Sequence, residues 1–223
     1  MTTQPSAESA ESAEAAGPPA SAAPATVVFD IGGVLLDWDP RHLYRKTFAD
    51  PAEMEWFLTH VCHTEWNVAQ DAGRSWQEAE AEAIARHPSY AAQIRHFRSR
   101  WHEMVPGPIA GTVAILEALA RADVPLYAIT NFSGDTYREA RERHAFFRHF
   151  RGVAVSGDLC ILKPEPGIYR HLATTHDVEL TRAIFIDDVE KNVAGARAVG
   201  MHAIRFVSPE RLAADLRGLG FAV

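Results

Sequence analysis

Several polar side chains of this sequence stand where apolar, strand-like runs end, or in loops beside such runs. They are Asp30, the pair Thr130-Asn131, Lys163 and the pair Asp187-Asp188. A carboxylate at the carboxyl end of a buried parallel strand points into the crevice where open α/β sheets bind ligands. Such a carboxylate can attack phosphorus or an activated carbon and form an ester that water then cleaves. These residue types therefore predict chemistry built on a carboxylate nucleophile.

Asp30 is the candidate nucleophile. The four residues before it, Thr-Val-Val-Phe, form a β-branched and aromatic run that is typical of a strand buried on both faces. Gly32 and Gly33 let the backbone turn sharply just beyond the aspartate. An aspartate that merely caps this turn is the alternative use of the position. The other polar groups favour the nucleophile.

The pair Asp187-Asp188 follows a second apolar run and indicates a cation site. Two adjacent acids at a strand end are costly unless a cation or hydrogen-bond donors compensate their charge. Together with Asp30 they form a set of hard oxygen ligands suited to Mg²⁺. The pair could instead cap a helix beginning at Val189, and both uses can hold at once. Asn192, four residues after Asp188, would add a supporting hydrogen bond from the same helix face.

An aspartate, a threonine, a lysine and an acidic pair in this order resemble the haloacid dehalogenase-like hydrolases, over residues 26 to 207. The resemblance implies a Rossmann-like parallel sheet of order 5-4-1-2-3 with a small inserted helical cap. That order would bring Asp30 and Asp187 together at a topological switch point. It also implies Mg²⁺ ligation by the Asp30 carboxylate, the Gly32 carbonyl and Asp187, with Asp188 reaching the metal through water.

The resemblance also gives roles to the middle motifs. Thr130 and Asn131 would supply a hydroxyl and a backbone N–H to phosphate oxygens at a helix N-terminus. Lys163 would balance the negative charge of nucleophile and phosphate together. A lone lysine before proline is usually a solvated loop residue, but the run Lys-Pro-Glu-Pro at 163–166 is similar to the family's lysine motif.

The chain departs from the family pattern at Gly32. Most phosphatases of this family have a second aspartate at this position, which protonates the leaving oxygen and later activates water. This chain has a D-x-G-G motif instead. The absence of this aspartate predicts the loss of a general acid–base contribution of roughly 10² to 10⁴-fold unless another group substitutes. Asp37 is one such group. The loop run Asp71-Ala72-Gly73-Arg74 either faces the substrate or forms a solvated turn.

The order of strand-like and helical stretches predicts the domain organisation. From residue 105 onward they alternate, which implies a parallel sheet with right-handed crossovers and helices on both faces. Residues 41–104 are polar and helical, without a β-branched run. We therefore predict an α/β core of residues 26–40 and 105–223 and a helical cap at 41–104. Residues 1–25 contain no aromatic and no basic residue, so we predict a disordered tail.

Composition restricts the class of protein further. Residues that are 47% apolar and 23% charged are ordinary for a soluble globular protein. A net charge of −7 argues against a nucleic-acid partner, and no stretch approaches the roughly 20 apolar residues needed to span a bilayer. The 2 cysteines lie far apart, as in a cytoplasmic protein with reduced thiols. We expect a monomer or homodimer acting on a small phosphorylated metabolite.

These observations predict a Mg²⁺-dependent hydrolase of small phosphate monoesters, sugar phosphates among them, that acts through an aspartyl-phosphate at Asp30. One alternative is a 2-haloacid dehalogenase, in which the same aspartate displaces halide from carbon. That chemistry needs neither metal nor the missing acid, but dehalogenases lack the acidic pair. Another alternative is a weakly catalytic binding or regulatory protein that keeps the fold, which Gly32 and the long tail support.

Overall fold

A five-stranded sheet forms the centre of the computed structural model, which describes residues 25–223. Its strands are β1 (Thr26–Phe29), β2 (Leu126–Thr130), β3 (Gly152–Val155), β4 (Ala183–Asp187) and β5 (His202–Arg205). Neighbouring strands are parallel, in the order β3-β2-β1-β4-β5. The predicted α/β fold and its strand order are therefore confirmed. The predicted disordered tail lies, but for Ala25, outside the described residues.

Burial explains why these stretches form strands. The central strands β2 and β4 are buried along their whole length, whereas the edge strand β5 exposes His202 and Arg205. In β1, Val28 belongs to one apolar cluster, and Val27 and Phe29 belong to another. Both faces of the sheet are therefore covered, as is usual for parallel strands, and the apolar runs of the sequence reflect that burial.

Five α-helices follow β1 along the chain. They are α1 (Arg41–Tyr44), α2 (Pro51–His60), α3 (Thr64–Asp71), α4 (Trp76–Arg86) and α5 (Ala91–Ser99), with 3₁₀ turns at Pro88–Tyr90 and Trp101–Met104. Side chains cap the starts of three of these helices, α2, α3 and α4. Asp50 accepts the Ala52 N–H at 2.9 Å before α2, and Ser75 accepts the Glu78 N–H at 3.2 Å before α4. Both are N-cap contacts, which satisfy backbone donors that a helix start otherwise leaves open.

This helical segment packs closely on the sheet. Tyr44 and Phe97 of the segment belong to the same buried apolar cluster as Phe29 of β1. A hydrogen bond also joins the two parts, since Trp76 Nε1 donates to Ser133 Oγ at 3.1 Å. The division into core and cap stays a proposal, and residues 41–104 are called the cap below.

Six further helices complete the fold. They are α6 (Ala110–Arg121), α7 (Gly134–Arg143), α8 (Ser156–Leu159), α9 (Pro166–His176), α10 (Glu190–Ala198) and α11 (Pro209–Gly218), with 3₁₀ turns at Ala145–His149 and Leu180–Arg182. Helices α9 and α10 contribute Tyr169 and Ala196 to the apolar cluster on one face of the sheet. Helices α6, α7 and α11 contribute apolar side chains to the cluster on the other face. Within the described part of the chain, no helix is long and apolar enough to cross a membrane.

Candidate active site

The paired strands β1 and β4 bring the candidate nucleophile and the acidic pair to one point. Asp30 follows β1 directly, Asp187 is the last residue of β4, and the two strands are paired. The Asp30 N–H donates to the Ile186 carbonyl at 2.8 Å, which extends that pairing. Asp30 is 7% exposed and Asp187 is fully buried. Both acids therefore lie at the carboxyl edge of the sheet, where the strand order reverses and open α/β sheets bind ligands.

Lys163 bridges these two acids. Its Nζ lies 2.7 Å from Asp30 Oδ1 and 2.7 Å from Asp187 Oδ2. The lysine side chain is 1% exposed, so water screens these ion pairs very little. Burial acts to lower the pKa of Lys163, but the two carboxylates outweigh it and raise that pKa above its ordinary value. The lysine is therefore a fixed positive charge between the acids.

Asn131 holds the backbone of Lys163 in place. Its Oδ1 accepts the Lys163 N–H at 2.8 Å, and its Nδ2 donates to the Lys163 carbonyl at 3.2 Å. The sequence predicted a backbone N–H of Asn131 for phosphate, and this clamp by its side chain is an additional role that no local pattern indicates. Thr130 is the last residue of β2 and is 1% exposed. Its contact with phosphate stays a prediction.

Three acids lie close enough together to bind one cation. Asp30, Asp187 and Asp188 can each place an oxygen within 4.8 Å of the other two. Burial raises the pKa of Asp30 to about 7 although Lys163 opposes the shift, and burial followed by Asp187 raises the pKa of Asp188. Three carboxylates thus face the single ammonium of Lys163, and a divalent cation would offset the excess negative charge. Hard oxygen ligands of this kind suit such an ion.

Asp187 also accepts hydrogen bonds from residues at the start of α10. Its Oδ1 accepts the Val189 N–H at 2.8 Å, and Asn192 Nδ2 donates to Oδ1 and Oδ2 at 3.1 and 3.0 Å. The sequence left capping and cation binding open as joint uses of the pair. Asp187 accepts a hydrogen bond from the N–H of Val189, the residue before α10, but no side chain caps the first turn of that helix. Asn192 supports Asp187 rather than Asp188, the residue with which its helical spacing associated it.

The two glycines after the nucleophile have different surroundings. Gly33 has φ +73, and a Cβ there would lie 2.6 Å from Asp188 Oδ2, so only glycine fits without displacement. At Gly32 the backbone φ is not positive, and a Cβ would meet no heavy atom within 4 Å. The absence of an aspartate at Gly32 therefore leaves open space beside the nucleophile.

A cavity of about 530 Å³ lies over this group, between the sheet edge and the cap. Asp30, Lys163 and Asp188 form part of its lining. Apolar side chains form another part of the wall: Trp38, Val68, Trp76, Trp101, Phe132 and Val189. The charged floor can hold a small anion, while the aromatic walls can contact an apolar group attached to that anion.

The structure places the two other candidate acids, Asp71 and Asp37, in different cavities. Asp71, at the end of α3, lines the cavity that contains Asp30. Asp37 lines a neighbouring cavity, its side chain is 54% exposed, and its Oδ2 lies 3.2 Å from His42 Nε2. Asp71 is therefore the cap acid that shares a cavity with the nucleophile.

Comparison with known proteins adds sequence relatives along most of the chain. A family model for haloacid dehalogenase-like hydrolases matches residues 24–200. The chain is similar to the sesquiterpene phosphatase astK of Aspergillus oryzae, with 26% identity over 203 residues that cover 86% of this chain and 94% of that protein. It is also similar to the phosphoserine phosphatase of Thermus thermophilus, with 32% identity over 92 residues, 41% of this chain and 37% of that protein.

Solved structures share the fold. The enzyme bt-2542 of Bacteroides thetaiotaomicron superposes with a TM-score of 0.69 at 20% identity, covering 87% of this chain and 99% of that one. The same bacterial protein has been crystallised with magnesium and inorganic phosphate, and that form superposes with a TM-score of 0.63 at 18% identity, covering 83% of this chain and 95% of that one. At these identities the likeness shows a common architecture.

Proposed function

The chain belongs to the haloacid dehalogenase-like hydrolases, and we propose that it is a Mg²⁺-dependent phosphatase that cleaves small phosphate monoesters through an aspartyl-phosphate at Asp30. The observation that carries this proposal is a group of three acids at the floor of a cavity, two of them buried and paired with Lys163. Such a group combines a nucleophile, a fixed positive charge and ligands for a cation. Similarity to astK over most of both chains supports a phosphate ester as the substrate.

One carboxylate oxygen of Asp30 has a hydrogen-bond and an ion-pair partner, and the other is the candidate attacking atom. The Ile31 N–H donates to Oδ1 at 2.7 Å, and Lys163 Nζ contacts the same oxygen at 2.7 Å. Oδ2 is therefore the oxygen proposed to attack phosphorus. Lys163 would neutralise charge that develops on the nucleophile and the phosphoryl group, an effect that is strong where water is excluded.

The acidic pair favours hydrolysis of a phosphate ester over displacement of halide from carbon. Asp30, Asp187 and Asp188 would hold Mg²⁺, with the Gly32 carbonyl as the further ligand that the family resemblance implies. When bound, the ion would draw charge from phosphate oxygens and so favour attack by an anionic nucleophile. Displacement of halide from carbon needs no bound metal ion, so it would not explain the acidic pair. A fold neighbour that holds magnesium and phosphate makes the same two ligands natural probes.

The walls of the cavity favour an apolar leaving alcohol. Trp76, Trp101 and Phe132 are each less than 10% exposed overall yet border the cavity. Aromatic faces of this kind provide a large contact area for hydrocarbon or for the apolar face of a ring. An isoprenoid phosphate and a sugar phosphate are therefore the two classes to compare, and similarity to a sesquiterpene phosphatase favours the first. A cytoplasmic location and a monomeric or homodimeric state remain part of the proposal.

One panel assay tests the proposal. Purified protein is incubated with p-nitrophenyl phosphate, farnesyl phosphate, a hexose phosphate and 2-chloropropionate, each in Mg²⁺ and in EDTA. We expect phosphate release that needs Mg²⁺, with the isoprenoid ester ahead of the sugar ester. Halide release that is insensitive to EDTA would instead establish the dehalogenase alternative. Phosphate release that is equal in Mg²⁺ and EDTA would contradict the assignment of the acidic group as a cation site.

A further inference from the structure

The nucleophile lacks a proton donor two residues further along the chain, at Gly32. A leaving alkoxide needs a proton as the bond to phosphorus breaks, and Gly32 cannot supply one. Apart from its two chain neighbours, no described residue places a heavy atom within 4 Å of where a Cβ at Gly32 would lie, so no side chain from elsewhere fills this position. Any donor for the leaving oxygen must therefore reach the cavity from another element.

Three carboxylic acids line the cavity: Asp30, Asp71 and Asp188. Asp30 is assigned as the nucleophile, and Asp188 belongs to the cation group. Asp71 is the remaining acid, and it enters from the cap, whereas the other two follow core strands. It lines the same cavity as Asp30 and Lys163, so a leaving group bound there lies between the cap acid and the reacting centre.

Contacts with both parts of the protein fix the position of Asp71. Asn67 Nδ2 donates to its Oδ2 at 3.1 Å, and the Ser133 backbone N–H lies near enough to favour the charged carboxylate and lower its pKa. Its own carbonyl accepts the Ser156 hydroxyl at 2.5 Å. Gly73, two residues on, has φ +98, and a Cβ there would lie 2.8 Å from Cys160 Sγ, so the chain turns tightly against the core. The carboxyl group is therefore anchored and not a mobile surface acid.

The environment of Asp71 suits proton transfer. Burial raises the pKa of its carboxyl to about 7, against opposing effects of the Ser133 N–H and of Lys163, while Asp30 adds to the rise. An acid with a pKa near the working pH can hold a proton and also release it. The ammonium of Lys163, 2.7 Å from Asp30 Oδ1, favours the ionised form of the nucleophile, and a cation bound by the acidic group would favour it further.

We propose that Asp71 of the cap is the general acid and base that replaces the aspartate missing at Gly32. This inference rests on the proposed function. In the first step Asp30 Oδ2 bonds to phosphorus, the bond from phosphorus to the leaving oxygen breaks, and that oxygen keeps the electron pair and takes the proton of Asp71. In the second step water attacks phosphorus and passes a proton to Asp71. The bond between phosphorus and Asp30 then breaks, which returns the Asp30 carboxylate and releases inorganic phosphate.

The test compares esters of different leaving-group acidity. In Asp71→Asn, kcat/KM should fall roughly 10² to 10⁴-fold for a primary alkyl phosphate and far less for p-nitrophenyl phosphate, whose phenolate leaves without a proton. The matched control is Asp37→Asn, which alters an exposed acid of a neighbouring cavity and should leave both rates unchanged. If Asp71 had only a structural role, its replacement would instead lower kcat/KM for both esters by the same factor.

A second variant distinguishes folding from chemistry. In Asp71→Ala, added formate should restore part of the alkyl-ester rate, because a small acid can occupy the space of the lost carboxyl. Equal losses on both esters without formate rescue would overturn the inference, as would an unchanged alkyl-ester rate in Asp71→Asn. Either result leaves the proposed function intact provided that Asp30→Asn still abolishes turnover. Turnover that persists in Asp30→Asn would refute the proposed function itself.

Discussion

Replacement of Lys163 by methionine tests whether the buried acids depend on this one positive charge. Methionine has nearly the same length but no charge, so the change leaves Asp30 and Asp187 without the ammonium that now lies 2.7 Å from each. Removing one partner of a buried ion pair typically costs about 3–5 kcal/mol of folding stability, because a buried charge is left uncompensated. For a chain of this size each kcal/mol corresponds to about 2–4 °C in Tm. We therefore expect Lys163→Met to lower Tm by about 6–20 °C.

The assay is thermal unfolding in EDTA, with Lys46→Met as the control. Lys46 also pairs with an acid, at 3.1 Å from Glu103, but its side chain is 57% exposed. Exposed pairs contribute about 0–1 kcal/mol, so the control should lose at most a few degrees. The deficit of Lys163→Met should shrink as the pH falls, because protonation neutralises the unpaired carboxylates. Equal losses in the two variants would refute the view that Lys163 balances a buried acidic group.

Two further predictions concern the loop after the nucleophile and the cap acid. Gly32→Ala should not lower the Tm, because a Cβ there meets no atom and alanine restricts the unfolded chain more than glycine does. Gly33→Ala should lose at least about 1–2 kcal/mol, since φ +73 disfavours a side chain and Asp188 blocks the Cβ. The raised pKa of Asp71 means that the folded protein keeps a proton that the unfolded chain releases, so this acid contributes stability that is lost as the pH rises from 3.8 towards about 7. The Tm advantage of Asp71→Asn over the wild type should therefore grow with pH across that range, and an advantage that is constant with pH would contradict the shift.

Much of the fold was predictable because burial leaves a clear pattern in the sequence. The run before Asp30 and the run before Asp187 are apolar because β1 and β4 are covered on both faces. Alternation with helices then implies parallel pairing. The strand order was not contained in that pattern, and it came from the resemblance to a family. No local rule relates β1 to β4, which lie more than 150 residues apart.

The candidate site was predictable only in part. The acids at strand ends could be proposed, since the ends of parallel strands share one edge of the sheet. The clamp of Asn131 on Lys163 joins residues 32 positions apart, and no periodicity encodes such a contact. Asp71 was left undecided because its loop sequence fits a solvated turn equally well. A weak signal was the nearby Gly73, whose positive φ permits the close approach to the core.

The most direct test of the central proposal is to trap the phosphorylated enzyme. Wild-type protein turning over p-nitrophenyl phosphate in Mg²⁺ is quenched with acid, digested and examined by peptide mass spectrometry, with Asp30→Asn and an EDTA sample in parallel. We predict a hydroxylamine-sensitive phosphoryl group on the peptide that contains Asp30, absent from both parallel samples. A phosphoryl group on another residue, or undiminished phosphate release by a folded Asp30→Asn protein, would contradict the assignment of Asp30 as the nucleophile.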